Sequence, residues 1–192
     1  VTSHEGWKQQ ITYDAKTGVI LVDYKLNADG SAVNKTYVGG VLTKQNTQNA
    51  DGTYDSWNYN ITGQTYVTIH QKSDANGNVT LIERLHADGT YDYREIRSAD
   101  GAKQYLYYDT AGRVLNDVQV AADGTNTTFK YDPSSGAVIS KMVKEPDGDL
   151  FTTTYTDGVR TGYSYVGHLG DKQTTTYDKA GVVLTDYLLN TD

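Results

Sequence analysis

Short runs of alternating apolar and polar residues follow one another along the whole chain. Residues 90–96, Thr-Tyr-Asp-Tyr-Arg-Glu-Ile, and residues 114–120, Val-Leu-Asn-Asp-Val-Gln-Val, are typical. Side chains of a β-strand point alternately to the two faces of a sheet, so this two-residue period predicts strands. No stretch repeats its apolar residues every 3.6 positions, as an amphipathic helix would. We therefore predict an all-β protein with almost no helix.

Glycines mark turns at regular intervals between these runs. Successive turn glycines are separated by as few as 10 residues, between Gly30 and Gly40, and by as many as 14, between Gly63 and Gly77. Such spacing is typical of all-β chains. Aspartate or asparagine precedes many of these glycines, and both residue types favour turns because they tolerate left-handed backbone.

Two kinds of turn recur along the chain, Ala-Asp-Gly and Tyr-Asp-x-x-Gly. The second kind begins at Tyr13, Tyr108, Tyr131 and Tyr177, with small changes in length. Two turns and two strands make a hairpin unit of about 23 residues, repeated roughly eight times. We predict one domain over residues 1–192, an antiparallel meander of about sixteen short strands. A sheet with so many strands is expected to curl or to close on itself.

The repeat resembles a known family. Residues 108–132, YDTAGRVLNDVQVAADGTNTTFKYD, resemble the YD repeat of bacterial Rhs and toxin-shell proteins, with the sharpest match over residues 101–148 and 170–187. Residues 49–66, NADGTYDSWNYNITGQTY, resemble repeats of large secreted bacterial proteins that include glycoside hydrolases. The resemblance implies a secreted or cell-surface array of β-hairpins. It also implies that this domain is one part of a larger protein, in which it is covalently linked to other domains. The resemblance implies no active site, because YD repeats are scaffolds.

Charge and composition exclude several classes of protein. The net charge is −7, and the 17 Lys and Arg residues are scattered among 24 Asp and Glu residues. Nucleic-acid binding requires clustered basic residues, so no nucleic-acid partner is expected. No apolar run approaches the roughly 20 residues of a membrane helix, so no membrane insertion is expected. The absence of cysteine excludes thiol catalysis, thiolate zinc sites and disulfide bonds.

The sequence does not predict an enzyme. Glycoside hydrolysis requires two carboxyl groups that face each other across a cleft. Most aspartates here stand in turns, and Glu83, Glu95 and Glu145 show no evident carboxyl partner. The four histidines fit no metal-ligand spacing; they are His4, His70, His86 and His168. We expect no catalytic residues and no cofactor, with calcium as the one ion to consider.

A weak calcium site is one interpretation of the Asp-rich turns. Asp74, Asn76 and Asn78 alternate as the first ligands of an EF-hand loop do, but the glutamate required at the twelfth position is missing. Asp147 and Asp149 form a second candidate pair. The alternative interpretation is that these side chains serve only as hydrogen-bonded turn formers.

Surface aromatics indicate the most specific function. The chain has 17 Tyr but only 2 Phe and 2 Trp, and tyrosine and tryptophan combine an apolar ring with a polar group. Residues two apart in a strand share a face, so Trp57 and Tyr59 would lie side by side. The predicted ligand-binding residues are Trp7, Trp57, Tyr59, Tyr91, Tyr93, Tyr105 and Tyr107.

Two functions follow from these aromatics. We expect a non-catalytic carbohydrate-binding or adhesion module, with an extracellular polysaccharide as its partner. Because aromatic pairs across strands also stabilise sheets, the alternative is a structural spacer or shell segment without a ligand, stabilised by calcium if the turns bind it.

Overall fold

The computed structural model describes residues 5–190, and these form β-strands and turns without any helix. The all-β prediction is therefore confirmed. Within these residues, sixteen strands pair in chain order as one antiparallel meander sheet, as the repeat predicts. Among these strands β1 and β16 are the two ends of the order and are not hydrogen-bonded to each other, so of the two alternatives, curling or closure, hydrogen bonds do not close the sheet.

The strands have nearly equal lengths. In chain order they are β1 (Lys8–Tyr13), β2 (Ile20–Leu26), β3 (Ala32–Val38), β4 (Val41–Gln48), β5 (Tyr54–Asn58), β6 (Thr68–Ser73), β7 (Val79–Leu85), β8 (Tyr91–Arg97), β9 (Lys103–Tyr108), β10 (Val114–Val120), β11 (Asn126–Tyr131), β12 (Val138–Lys144), β13 (Leu150–Thr156), β14 (Val159–Val166), β15 (Lys172–Tyr177) and β16 (Val183–Leu189).

The chain divides into two compact units. The boundary falls between Arg94 and Glu95, inside β8. We call residues 1–94 the first unit and residues 95–192 the second unit, and we describe each by itself. The single domain expected over residues 1–192 stays a prediction. Residues 5–190 contain no helix with the length and apolarity needed to cross a membrane.

Aspartate side chains hold the turns together. Asp14 Oδ1 accepts hydrogen bonds from the backbone N–H groups of Lys16 and Thr17, at 2.9 and 2.8 Å. Asp29 Oδ1 accepts from both the N–H and the hydroxyl of Ser31, at 2.9 and 2.7 Å. These contacts confirm the interpretation of the aspartates as turn formers. The same bond to a backbone N–H two residues ahead is made by Asp51, Asp74, Asp88, Asp100, Asp109, Asp123, Asp132, Asp147 and Asp178.

Neither unit has a hydrophobic core among the described residues. No apolar side chain of residues 5–190 is buried, whereas five polar ones are. An uncovered sheet of this kind is stabilised by contacts between directly opposite side chains of neighbouring strands. The buried polar residues are His70, Glu83, Glu95, Asp117 and Thr175.

The second unit shows how such contacts replace a core. Asp117 in β10 accepts hydrogen bonds from the side-chain amides of Gln104 and Gln119, at 3.0 and 2.8 Å. It stands opposite Leu106 on one side and Phe129 on the other. The buried side chain of Asp117 is therefore hydrogen-bonded, which is the condition under which burial of a polar group is tolerated, although its cross-strand neighbours are apolar.

Two equivalent glycines offer a test of turn packing in the first unit. Gly30 and Gly52 end Ala-Asp-Gly turns with φ of +86° and +85°. An added Cβ would meet nothing within 4 Å at Gly30, but would lie 3.1 Å from Ala75 Cβ at Gly52. We expect Gly30→Ala to cost about 1–2 kcal/mol through backbone strain. Gly52→Ala should cost about 1 kcal/mol more through crowding.

Urea unfolding of the two variants measures this difference. Equal losses of stability would show that the turn containing Ala75 moves aside without cost.

Candidate functional site

A row of directly opposite side chains crosses one face of the first unit. Strand register decides its members, because opposite residues of an antiparallel pair point to the same face. We call it the charged row, since two acidic residues, a lysine and a histidine belong to it. Its members, from β1 to β7, are Ile11, Asp23, Lys35, Gln45, Trp57, His70 and Glu83.

His70 is the centre of a hydrogen-bonded network in this row. Its Nδ1 lies 2.9 Å from Glu83 Oε2, and its Nε2 lies 2.9 Å from Asp55 Oδ1. Arg94 Nε donates to the other oxygen of Glu83, also at 2.9 Å. His70 and Glu83 are only 4% and 7% exposed. Both ring nitrogens of His70 therefore lie within hydrogen-bond distance of a carboxylate, and the buried Glu83 carboxylate is also paired with the guanidinium of Arg94.

Asp55 connects this network to solvent. Burial raises the pKa of its carboxyl, but hydrogen bonds from His70 and Asn49 and the charge of Lys72 outweigh that effect. The net result is a lowered pKa, so Asp55 is ionised at neutral pH. Lys72 Nζ lies 3.8 Å from Asp55 Oδ1 and is half exposed, which makes it the outer end of the network.

The rings of Trp57 and His70 stack face to face in the charged row. Their centroids are 3.7 Å apart and their planes differ by 8°. Tyr59 lies parallel to Trp57 within 6°, with the centroids 6.1 Å apart. The structure therefore brings Trp57 and Tyr59 together as predicted. His70 covers one face of the Trp57 ring, so a sugar could stack only on the part of the ring that neighbouring side chains do not cover.

Cations lie over the other predicted aromatics of the first unit. Lys25 Nζ is 5.4 Å from the Trp7 ring centroid. The guanidinium of Arg94 lies 4.9 Å from the Tyr91 ring. In the same way the guanidinium of Arg84 lies 4.2 Å from the Tyr93 ring. Cation–π contacts of this kind stabilise the sheet and occupy ring faces.

Tyr105 and Tyr107 belong to β9 in the second unit. They stand opposite Val118 and Asn116 of β10 and so share a face. Tyr107 is 40% exposed, while Tyr105 is half-buried. The other five predicted aromatic residues belong to the first unit, whereas Tyr105 and Tyr107 form a pair in the second unit.

A second row crosses the opposite face of the first unit and carries no charge. We call it the amide row, because amides supply four of its six side chains. Its members, from β1 to β6, are Gln10, Tyr24, Asn34, Asn46, Ser56 and Gln71.

The amide row is exposed at its β1–β2 end and half-buried from β3 to β6, and Asn34 Oδ1 within it is buried without a hydrogen-bond partner among the described residues. None of its members is buried, and Gln10 and Tyr24 are exposed. Within it, Ser56 Oγ donates to Asn46 Oδ1 at 2.9 Å. Tyr54 stands beside it on the same face, 41% exposed. Neighbouring strands lie about 4.8 Å apart, so the row offers one neutral hydrogen-bonding side chain at each such step.

In the first calcium candidate, the carboxylate of Asp74 accepts hydrogen bonds from other residues of its own turn. Asp74 Oδ1 accepts from the N–H groups of Asn76 and Asn78, at 2.9 and 2.8 Å. Asp74 Oδ2 accepts from the side-chain amide of Asn78 at 2.9 Å. A calcium ion would have to compete with these three hydrogen bonds for the carboxylate.

The second calcium candidate lies beside a histidine. Ligand atoms of Asp147, Asp149 and His168 lie within 4.8 Å of one another, a geometry that a metal ion could use. Asp149 Oδ1 accepts from the N–H of His168 at 2.9 Å and lies 2.7 Å from its Nδ1, while Tyr165 donates to Oδ2 at 2.9 Å. An imidazole suits transition metals, whereas calcium takes oxygen ligands.

Hydrogen bonding also shifts the titration of this cluster. The hydrogen bond to Asp149 raises the pKa of His168. The N–H of His168 and its ring lower the pKa of Asp149. The stabilising effect of His168 is thus fully present below its unfolded pKa, about 6.5, and is lost as pH rises through its higher folded pKa.

Comparisons with known proteins add no function. No family model matches the chain, and no curated protein sequence matches it. Among solved structures, the E1021V mutant of the TCP10 domain of Danio rerio CPAP is similar at 18% identity, with 97% of each chain covered and a TM-score of 0.38. A likeness at this TM-score carries no argument. The resemblance to YD repeats stays a prediction.

Sequence reasoning missed the amide row and the His70 network. Asp55 and Glu83 lie 15 and 13 residues from His70, so no short motif links them. Only the register of β5, β6 and β7 brings them together. The one available signal was the alternation of β4, where Asn46 lies between Gln45 and Thr47 and so had to point to the opposite face. His4 lies outside the described residues.

Proposed function

We propose that the chain is a non-catalytic module that binds a neutral extracellular polysaccharide along the amide row. The observation that supports this proposal is the continuous set of uncharged hydrogen-bonding side chains on six successive strands. Amides and hydroxyls both donate and accept hydrogen bonds. They therefore match the hydroxyl groups of a neutral polysaccharide, which likewise donate and accept.

The geometry of the amide row favours a polymer over a small sugar. Small-molecule sites are concave pockets that enclose most of their ligand. The amide row instead extends across six successive strands, so affinity must come from many weak contacts along an extended chain. Tyr24 in the row and Tyr54 beside it add exposed rings that can pack against the C–H faces of sugar units.

Under this proposal the module acts outside the cell. It is secreted by a bacterium or displayed on its surface, covalently linked to other domains whose substrate it holds close by. These parts of the proposal rest on the resemblance to YD repeats.

A structural spacer is the second candidate function, and the charged row favours it. Cross-strand hydrogen bonds join β5, β6 and β7 through Asp55, His70 and Glu83, so these side chains already have partners within the sheet. A spacer needs such cross-strand contacts and no ligand. The two candidates make different predictions for residues that point to opposite faces of the same strand.

Retention on insoluble polysaccharides tests the proposal. We expect the chain to be retained by at least one neutral polymer among β-glucan, cellulose, chitin and xylan. Asn46→Val and Gln71→Val should each weaken retention about tenfold, since several hydrogen bonds to the ligand are lost. Valine favours strands, so both variants should still fold.

Gln45→Val is the matched control, because Gln45 neighbours Asn46 but belongs to the charged row. It should leave retention unchanged. If Trp57→Ala abolishes retention and Asn46→Val does not, the ligand lies on the charged face. Loss of retention with a chelator alone would favour calcium-supported folding. A folded chain that no polymer retains would contradict the proposal and favour the spacer.

A further inference from the structure

The second unit contains an open cavity of about 420 Å³, bounded by the turn that follows β8 and the turn that follows β10. This volume falls within the range of small-molecule sites, roughly 300–1,000 Å³. Gln104, Gln119 and Thr127 stand directly opposite one another on β9, β10 and β11 and line the cavity from the sheet. Opposite residues of antiparallel strands share a face, so these side chains form one short row.

Departures from the repeat leave the space for this cavity. In the equivalent turn after β2, Asn27 Nδ2 donates to Ser31 Oγ at 2.9 Å, so a polar pair spans the turn. The turn after β8 has Ala102 in the place of Ser31, and the turn after β10 has Ala121 in the place of Asn27. The two alanines cannot form such a pair. Together with Ile96 they give the cavity an apolar wall.

A buried carboxylate fixes the orientation of both glutamines. Gln104 and Gln119 donate their side-chain N–H groups to Asp117, at 3.0 and 2.8 Å, and Asp117 is only 6% exposed. A carboxamide that donates through its nitrogen still has a carbonyl oxygen free to accept. Among residues 5–190, neither of these two oxygens nor the Thr127 hydroxyl has a hydrogen-bond partner. The row therefore offers three unused oxygen acceptors.

The charge of Asp117 has no cation beside it. Its two oxygens each accept from an amide, as an ionised carboxylate does. The other buried carboxylates of residues 5–190 are paired: Glu83 Oε1 lies 2.9 Å from Arg94 Nε, and Glu95 Oε1 lies 2.6 Å from Arg97 Nε. No basic nitrogen of the described residues lies within 4.0 Å of the Asp117 carboxylate. Buried charges in proteins are normally paired, so a cation is missing here.

The corresponding hairpin of the first unit carries a cation at this place. Gln9 donates to Asp23 at 2.7 Å, as Gln104 donates to Asp117. The residue in the place of Gln119 is Lys25. The repeat thus accommodates an ammonium group two residues after this aspartate, and the glutamine of β10 removes it.

We propose that this cavity binds the ammonium group of a small primary alkylamine. An ammonium group has three N–H donors and no acceptor. The carbonyl oxygens of Gln104 and Gln119 and the hydroxyl of Thr127 are three acceptors to match. The positive charge balances that of Asp117 through the two carboxamides, and the alkyl chain packs on the apolar wall. This site is separate from the amide row, which belongs to the first unit.

Other classes of ligand fit the cavity less well. An anion would meet only acceptors from the two glutamines. A neutral sugar could donate to them but would leave the charge of Asp117 unbalanced. Lys103 is the one charged residue of the lining. Its neighbour Gln104 points to the cavity face, so the Lys103 side chain points to the opposite face of the sheet.

NMR titration of the ¹⁵N-labelled full chain with n-butylammonium tests the proposal. We expect saturable shifts in the side-chain amide signals of Gln104 and Gln119 and in the backbone signals of Ala102 and Ala121. n-Butanol has the same alkyl chain without the charge, and tetramethylammonium has the charge without an N–H donor. Each should bind about tenfold more weakly or worse, because a hydrogen bond to a charged group is worth that much.

Two variants locate the site. Gln119→Leu removes one acceptor, and Leu188 at the corresponding position of β16 shows that the repeat accommodates leucine. Ala102→Thr fills the cavity with the residue that other turns carry at this position. Each should weaken n-butylammonium binding about tenfold. The matched control is Gln173→Leu, which removes the glutamine that donates to Asp186 at 3.1 Å. It should leave binding unchanged.

A third variant tests the role of the charge. Asp117→Asn keeps a hydrogen-bonding side chain of the same size but carries no charge. It should weaken binding of n-butylammonium about tenfold or more, because an opposite charge nearby is lost. Binding of n-butanol should not change.

The absence of any saturable shift at the cavity in the folded parent chain would overturn the proposal. Equal affinity for n-butylammonium and n-butanol would do the same, since the charge would then play no part. So would equal weakening by Gln119→Leu and Gln173→Leu, which would indicate unspecific attraction of cations to an acidic protein. Retention on polysaccharides does not enter this test, so the two proposals can fail separately.

Discussion

Replacing Glu83 with alanine is expected to lower the free energy of unfolding by about 3 kcal/mol, because it breaks a buried ionic network. The substitution leaves His70 Nδ1 and Arg94 Nε without the carboxylate that each contacts at 2.9 Å. His70 is 4% exposed, so water cannot replace the lost partner. Urea unfolding followed by tryptophan fluorescence measures the loss, with Trp57 stacked on His70 as a local reporter.

Three controls isolate the network from general effects of substitution. Glu145→Ala removes an exposed carboxylate and should change stability by less than about 0.5 kcal/mol. Glu83→Gln keeps an acceptor and should cost less than Glu83→Ala. A double-mutant cycle with His70→Ala should give a coupling energy of about 1–3 kcal/mol. A loss below about 1 kcal/mol in Glu83→Ala would show that the network does not hold these strands together.

Acid is expected to unfold the protein, because its turns depend on ionised aspartates. Hydrogen bonds donated within the same turn lower the pKa of a whole set of aspartates, each bond favouring the charged carboxylate. This set is Asp14, Asp29, Asp51, Asp74, Asp88, Asp109, Asp123 and Asp132. The contribution of each to stability is present above its unfolded pKa, near 3.9, and is lost as pH falls through its lower folded pKa.

Thermal melting at a series of pH values measures this effect. We expect a nearly constant melting temperature from pH 6 to pH 5 and a steep fall below pH 4. A variant with Asp14, Asp109 and Asp132 changed to asparagine keeps side chains that can accept the turn hydrogen bonds but cannot titrate. It should melt below the parent protein at pH 7 and approach it at pH 2.5. A melting temperature that stays unchanged down to pH 2.5 would contradict this account of the turns.

Local features of the fold could be predicted because their causes are local. An Asp-Gly pair forms a turn through hydrogen bonds that span two to four residues, as at Asp29 and Ser31. Alternation along a run such as Val114–Val120 identifies a strand without reference to its neighbours. Short turns at regular spacing then leave the antiparallel meander as the simplest topology, and the structure has it.

The candidate site could not be predicted in the same way. Trp57 was expected to offer its ring to a sugar, but its face on the β6 side meets His70. No single residue of the amide row indicates a binding site in the sequence. The candidate site exists only because strand register places Asn34, Asn46 and Ser56 directly opposite one another. A shift of one residue in any strand would exchange the two faces, and the sequence alone does not specify that register.

The sequence by itself determined the class of structure: the strands, the turns and the chain-order meander follow from two-residue periodicity and from Asp-Gly chemistry. The tertiary structure decided which side chains share a face, and that His70 and Glu83 are buried without an apolar core among residues 5–190. The physical reason is the distance along the sequence over which each interaction acts. Turn and strand preferences act over a few neighbouring residues, whereas strand register brings together residues more than ten positions apart.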